Sequence, residues 1–204
     1  MSSLYTIDQM KWFSDRLEED GYTAEQFNLL GQSGRLREML CVLRGTHEIR
    51  PIDHMINLSI PCKLPFTGAE HVSSAKSGIV RLERHGDDLC LDGKKINLFL
   101  SDGQKGGFIV GHELRKELEA KDGNVSAKVL DHTVEHPELW PESWKKDDQG
   151  RTIYIFFWDD IFRLPVRDRL YVRYGCWGGG RVVSHYRWLG HGWNVRSPAA
   201  SLAS

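Results

Sequence analysis

The stretch RTIYIFFWDDIFRLPVRDRLYVRYGCWGGGRVVSHYRWLGHGWNVR, residues 151–196, decides how this chain is read. It holds four Trp, four Tyr and three Phe beside eight Arg and three Asp, with no Lys. Arg151–Trp158 is apolar in both alternating sets of positions, the pattern of a strand covered on two faces. Leu170–Trp177 and Arg181–Leu189 read as two further strands joined across Gly178, Gly179 and Gly180. Three glycines permit a tight turn, but no Lys-Ser/Thr pair and no helical pattern follows, so they are not a phosphate loop.

A period of two places Leu170, Val172, Tyr174 and Cys176 on one face and Tyr171, Arg173, Gly175 and Trp177 on the other. In the next strand Val183, His185, Arg187 and Leu189 oppose Val182, Ser184, Tyr186 and Trp188. A favourable register gathers Tyr171, Arg173, Trp177, His185, Arg187 and Trp188 into a cationic aromatic platform, and these are the expected partner-binding residues. Tyr, Trp and Arg anchor protein interfaces, so the leading expectation is a non-enzymatic protein-interaction or assembly module. The alternative is RNA or single-stranded nucleic-acid binding, with bases stacked on the rings and phosphates met by Arg.

Charge supports a local surface rather than a global one. The chain of 204 residues is 40% apolar and 27% charged with a formal net charge of −1, which fits a folded protein and excludes a strongly basic nucleic-acid coat. Residues 111–150 carry ten acidic and six basic side chains, a formal −4, whereas residues 151–196 carry +5. No apolar run reaches the length of a membrane span, and the polar opening does not resemble a signal peptide, so a cytoplasmic protein is expected. Cys41, Cys62, Cys90 and Cys176 are widely spaced in apolar contexts and read as buried free thiols.

Upstream, the fold class reads as α+β: an N-terminal helical portion, a central strand-helix portion and a small C-terminal antiparallel sheet. Thr6–Glu19 has helical spacing of Ile7, Met10, Phe13 and Leu17, and shorter helices are expected from Thr23 to Leu30 and from Ser33 or Gly34 to Leu43. Pro51, Pro61 and Pro65 break the following segment, leaving room for one short strand within Met55–Ile60. Ile79–Arg84, Asp88–Leu91 and Lys95–Leu100 are strands separated by Gly86-Asp87 and by Asp92-Gly93, the latter a strong hairpin signal. Helices are expected at His112–Lys121 and, capped by Ser126, at Ala127–His136 up to Pro137. Trp140 and Trp144 are read as wedges that lock a helix to a sheet. The regions drawn from these patterns are 1–77, 78–146 and 147–197, with 198–204 a flexible tail.

Two histidine groups carry the remaining chemistry. His132 and His136 share a helix face four residues apart, with Glu135 and Glu138 beside them, but residue 133 is Thr where a zinc hydrolase needs Glu. His112-Glu113 likewise lacks the second His. His47, Glu48, Asp53 and His54 form a dense acid–imidazole group without a nucleophile at a diagnostic spacing. An uncharacterised hydrolase using these His/Asp clusters is therefore a further alternative, with no cofactor and no metal ligand set assigned. His71 and His85 have no context that selects a role, whereas His185 supplements the cationic platform and His191, between Gly190 and Gly192, reads as a turn residue.

Overall fold

The computed structural model describes residues 54–73, 76–121 and 123–203, together with Lys11, Trp12, Asp15, Arg16, Glu19, Thr23 and Arg44. The chain divides into two compact units, Met1–Pro51 and Ile52–Ser204. In the first, Lys11, Trp12, Asp15, Arg16 and Glu19 are helical, within the first expected helix. The two later helices expected there lie outside the described residues.

The second unit is an α+β fold on a mixed, mostly antiparallel sheet. Its strands are β1 (Met55–Asn57), β2 (Glu70–Ser73), β3 (Ile79–His85), β4 (Asp88–Leu91), β5 (Lys94–Phe99), β6 (Ile109–Val110), β7 (Ile155–Leu164), β8 (Arg169–Gly178), β9 (Arg181–Trp188), β10 (Gly192–Trp193) and β11 (Ala199–Leu202). Nine of them form one sheet in the order β1-β3-β4-β5-β11-β7-β8-β9, with β2 also paired to β7, while β6 and β10 form a separate two-stranded ribbon. The β11–β7 pairing is parallel. Turn chemistry matches the sequence signals: Asp92 and Gly93 have φ of 48° and 74° between β4 and β5, and Gly179 and Gly180 have φ of 59° and 79° between β8 and β9. Both central residues at positive φ give the turn whose twist matches paired strands.

Helices α1 (Asp102–Lys105), α2 (Gly111–Lys121) and α3 (Ala127–Glu135) complete the unit. β7 runs through the middle and feeds two cores by alternation. Ile155 and Phe157 pack with Leu130 of α3, Trp140, Trp144 and Val182, whereas Phe156 and Trp158 pack with Leu114 and Leu118 of α2, Val172, Leu189 and Trp193. Burial on both faces is why this strand reads as an unbroken apolar run. Trp140 and Trp144 are buried wedges in the α3-side core, as expected.

β7 is also bent. Phe157 pairs with Arg173 and Ile161 with Val172, so Trp158, Asp159 and Asp160 bulge out of the β8 ladder. Beyond the bulge the strand turns its other edge to β2, with Glu70 opposite Arg163 and His71 opposite Phe162. Such a bulge re-aims side chains, and here it delivers Asp160 to the interior.

Two expectations need correction. Residues 199–202 are not part of a flexible tail: they form β11, inserted between β5 and β7, and Ala199 and Ala200 have 0% exposure. Their small side chains suggest a solvated end, yet small residues are what fits a strand covered on both faces. The C-terminal strands are likewise not a small sheet of their own, because β11 joins β7 to β5. The expected boundaries at 77/78 and 146/147 both fall inside the second unit.

Deleting residues 198–204 should abolish cooperative unfolding of the second unit, as followed by circular dichroism on heating. A truncated chain that melts cooperatively near the full-length temperature would contradict the central placement of β11.

Candidate metal centre

Helix α3 starts where Ser126 caps it, accepting a hydrogen bond from Lys128 N at 3.2 Å, and ends at His136, whose N–H donates to His132 O at 2.8 Å before Pro137 stops the chain. His132 and His136 thus sit one turn apart at the open end of the helix, their ring centroids 4.5 Å apart. The third imidazole comes from His54, immediately before β1. Its backbone is left-handed, φ 62°, and its carbonyl accepts from Leu82 N at 2.9 Å, which ties this turn to β3. A left-handed non-glycine residue costs on the order of 1 kcal/mol and is concentrated at functional sites.

The His54 ring meets His132 and His136 edge-on, with centroid separations of 5.3 and 4.9 Å. His54 Nδ1 lies 3.2 Å from His132 Nε2, and one nitrogen of each of the three rings lies within 4.8 Å of the others. Tetrahedral zinc with Zn–N bonds of about 2.0–2.1 Å spaces its donor atoms about 3.3 Å apart, so the closest pair already has a ligand spacing. His136 Nδ1 lies 3.2 Å from Glu138 Oε1, the carboxylate contact that fixes the tautomer of a metal-bound histidine and leaves Nε2 as the free donor. Burial, followed by the neighbouring His136 and His54, lowers the His132 pKa and favours the neutral ring with a lone pair to give. All three residues are partly exposed, which leaves solvent access.

A second group lies at the other end of α3. Asp160 has 0% exposure and accepts from Ser126 Oγ at 2.6 Å and Ala127 N at 2.7 Å through Oδ2. Its Oδ1 lies 2.7 Å from His71 Nε2 and takes a long contact of 3.6 Å from the Cys62 thiol. Cys62, His71 and Asp160 also hold their donor atoms within 4.8 Å of one another. Their chemistry differs from that of the histidine group. Burial first, then the Asp160 charge, pushes the Cys62 thiol up to about 12, so it is a protonated donor at neutral pH rather than a thiolate nucleophile. With the imidazole and the thiol both turned to one carboxylate, the group ties the segment carrying Cys62 and His71 to the start of α3.

The residues expected at the platform are split by the strand register. Tyr171 pairs with Trp188, Arg173 with Tyr186 and Val172 with Arg187, so Arg173 and Arg187 face opposite sides of the sheet. On the α3 side, Arg173 is 4% exposed and donates to Asp131 Oδ1 at 2.6 Å, Ser184 Oγ at 2.8 Å and Lys63 O at 2.9 Å. Tyr171 joins Tyr186 and Phe66, Trp177 lies under the Lys145 ammonium at 3.8 Å, and Trp188 lies under the Arg169 guanidinium at 4.4 Å. On the other side, His185 packs on Tyr174 and Arg187 is boxed by Phe156, Tyr174 and Trp193. Of the other acid–imidazole group, His47, Glu48 and Asp53 lie outside the described residues, and so does Cys41. Cys62, Cys90 and Cys176 are buried free thiols, as read from the sequence.

The His132/His136 spacing was visible in the sequence, but the third ring enters from 78 residues away. The one local hint was a histidine at a turn preceding a short strand. Nothing in the sequence around His71 or Asp160 announces their meeting across the β7 bulge. No family model matches the chain, and comparison with curated proteins and with solved structures likewise finds no match.

Replacing Asp160 with Asn should destabilise the second unit by about 2–4 kcal/mol in urea titrations, since one buried acceptor becomes a donor facing Ser126, Ala127 and His71. A midpoint unchanged from the parent chain would contradict the role given to this carboxylate. The Cys62 thiol has its own pH signature. Because its folded pKa of about 12 exceeds the ordinary 9.0, its contribution is fully present below pH 9 and is lost as pH rises toward 12. Stability of the parent chain should therefore fall more steeply above pH 9 than that of Cys62→Ser, and parallel profiles would contradict the shift.

Proposed function

We propose that His54, His132 and His136 hold a single divalent transition metal, and that the protein is a metal-dependent hydrolase. The observation that carries this reading is the convergence of three imidazole donors from two separate elements, with one pair at 3.2 Å. Three imidazole donors on partly exposed residues match the donor set of catalytic zinc sites, whereas structural zinc sites are closed by a fourth protein ligand. Held by His54, His132 and His136, such a metal would supply hydroxide at neutral pH by bringing the pKa of a bound water to about 7.

The chain's own groups support that chemistry. Glu138 is held ionised, chiefly by its backbone hydrogen bond and by His136, and it fixes His136 in the tautomer that presents Nε2. Glu135 stays ionised beside His132 because Lys63 Nζ donates to it at 2.6 Å, which lowers its pKa. These carboxylates add negative charge next to a cationic centre and suit it to a divalent ion.

This reading is preferred to the expected non-enzymatic interaction module. Arg173 spends its donors on Asp131, Ser184 and Lys63, so the α3-side half of the platform offers a partner little directional hydrogen bonding. It is also preferred to a metal at Cys62, His71 and Asp160, where the thiol is protonated and the carboxylate is already saturated by Ser126, Ala127 and His71. No helix among the described residues is long and apolar enough to cross a membrane.

Metal-stripped protein titrated with zinc in a calorimeter should bind one equivalent. His54→Ala and His132→Ala should each weaken binding by about a hundredfold or more, and Glu138→Gln by about tenfold. Folded protein that binds no zinc, or binding that survives His132→Ala, would overturn the assignment. Hydrolysis of activated ester and phosphoester substrates should depend on added metal and disappear with His132→Ala.

A further inference from the structure

We propose that the opposite face of the sheet carries a second, independent site that binds the phosphoryl group of a small phosphomonoester between Arg187 and Arg196. The site is a concave pocket of about 340 Å³ lined by Tyr154, Arg187, His191, Asn194, Arg196 and Ser197, with Gly192 at its edge. No Asp or Glu lines it, and among the described residues neither arginine is in an ion pair.

Arg187 is the decisive residue. Its guanidinium lies 5.3, 5.8 and 5.5 Å from the ring centres of Phe156, Tyr174 and Trp193, three side chains of the core on that face. A guanidinium has five N–H donors and cannot shed its proton. Here one donor meets a protein acceptor, Ser197 Oγ at 3.3 Å, and no other acceptor contacts it among the described residues. The rings offset part of the lost hydration through cation–π attraction, but they accept no conventional hydrogen bonds. A partly buried fixed cation with unused donors at a pocket wall is the arrangement that an oxyanion completes.

The rest of the pocket is prebuilt. The turn that carries Arg196 is pinned by Ser197 N donating to Asn194 O at 2.9 Å and by Arg196 N donating to Asn194 Oδ1 at 3.0 Å. Buried Gln104 fastens it from below, donating to Asn194 O at 3.1 Å and Ser197 O at 2.7 Å. Arg196 O accepts from Tyr154 N at 2.8 Å, and the Arg196 guanidinium sits 6.0 Å above the Tyr154 ring. Binding would therefore not require ordering of the backbone, which is a large cost in flexible sites.

Charge selects the ligand class. Two fixed positive charges balance a phosphomonoester, which carries about −1.5 to −2 at neutral pH, whereas a carboxylate would leave one guanidinium uncompensated. The volume lies at the low end of small-molecule pockets, about 300–1,000 Å³, so a phosphate bearing a small organic group fits the space. The site does not serve the histidine centre, because Arg187 and α3 lie on opposite faces of β9.

The test is calorimetry on metal-stripped full-length protein with inorganic phosphate, glycerol 2-phosphate, acetate and a single-stranded oligonucleotide without terminal phosphate, at matched ionic strength. Saturable binding of phosphate and glycerol 2-phosphate, weakened at least tenfold in Arg187→Gln and Arg196→Gln and unchanged in His132→Ala, is expected. If Arg187→Gln fails to fold, Arg196→Gln decides, since that guanidinium makes no hydrogen bond to the described residues. No phosphate binding by the folded parent, binding unaffected by Arg196→Gln, acetate bound as well as phosphate, or the oligonucleotide bound more tightly than glycerol 2-phosphate would each overturn the proposal. Loss of phosphate binding in His132→Ala would place the anion at the histidine centre and overturn it as well.

Discussion

The placement of helix α3 depends on one buried carboxylate. Asp160, lifted out of the β7 ladder by a bulge, caps α3 at Ala127 N, bonds the capping Ser126, and engages His71 and Cys62 from the preceding segment. A carboxylate without solvent is tolerable only when its oxygens are fully hydrogen-bonded, and here four protein groups meet it. Farther along the helix, Asp131 receives Arg173 from β8 and the Lys63 amide, while Lys128 Nζ donates to Leu58 O. These contacts leave α3 little freedom to rotate or slide, which matters because its last turn carries His132 and His136. The placement of His132 and His136 is thus set by polar bonds made at Ala127, Lys128 and Asp131 of the same helix.

β8 and β9 give the protein two chemically different faces. Parity along β9 sends Ser184 to Arg173 and the α3 side, and sends Arg187 to the aromatic box on the other. A register slip of one residue would exchange the two sets, so the glycine turn that fixes the β8–β9 register also fixes which arginine is internal and which lines a pocket. Arg173 and Arg187 look equivalent in the sequence. In the fold one saturates a buried network and the other keeps unused donors.

The sequence showed local features well and distant ones poorly. Asp92-Gly93 and Gly179-Gly180 announced their hairpins because positive φ at both positions is a local demand, and Ser126 and Pro137 marked the ends of α3 for the same kind of reason. β11 was misread because Ala199-Ala200-Ser201-Leu202 lacks the β-branched and aromatic residues of an ordinary strand, although its small side chains suit a crowded central position. The boundary expected at 146/147 separates no sheets, because strands on either side of it belong to one sheet. For the candidate centre, the helical pair His132/His136 could be seen, but His54 was grouped with its sequence neighbours rather than with its spatial ones. No pattern could show Asp160 turning inward, since a bulge depends on the register of the partner strand.

Two groups of the fold compete for a metal: the three imidazoles of His54, His132 and His136, and the Cys62–His71–Asp160 group. X-ray absorption at the zinc edge of protein loaded with one equivalent of zinc separates the two directly, because nitrogen and sulfur ligands lie at different distances. A metal at the three imidazoles gives a nitrogen or oxygen shell at about 2.0–2.1 Å with the outer-shell scattering of three imidazoles and no sulfur, the result expected here. A sulfur contribution at about 2.3 Å would place the metal at a cysteine, with Cys62 the one among the described residues that has a histidine and a carboxylate beside it, and would contradict the imidazole centre.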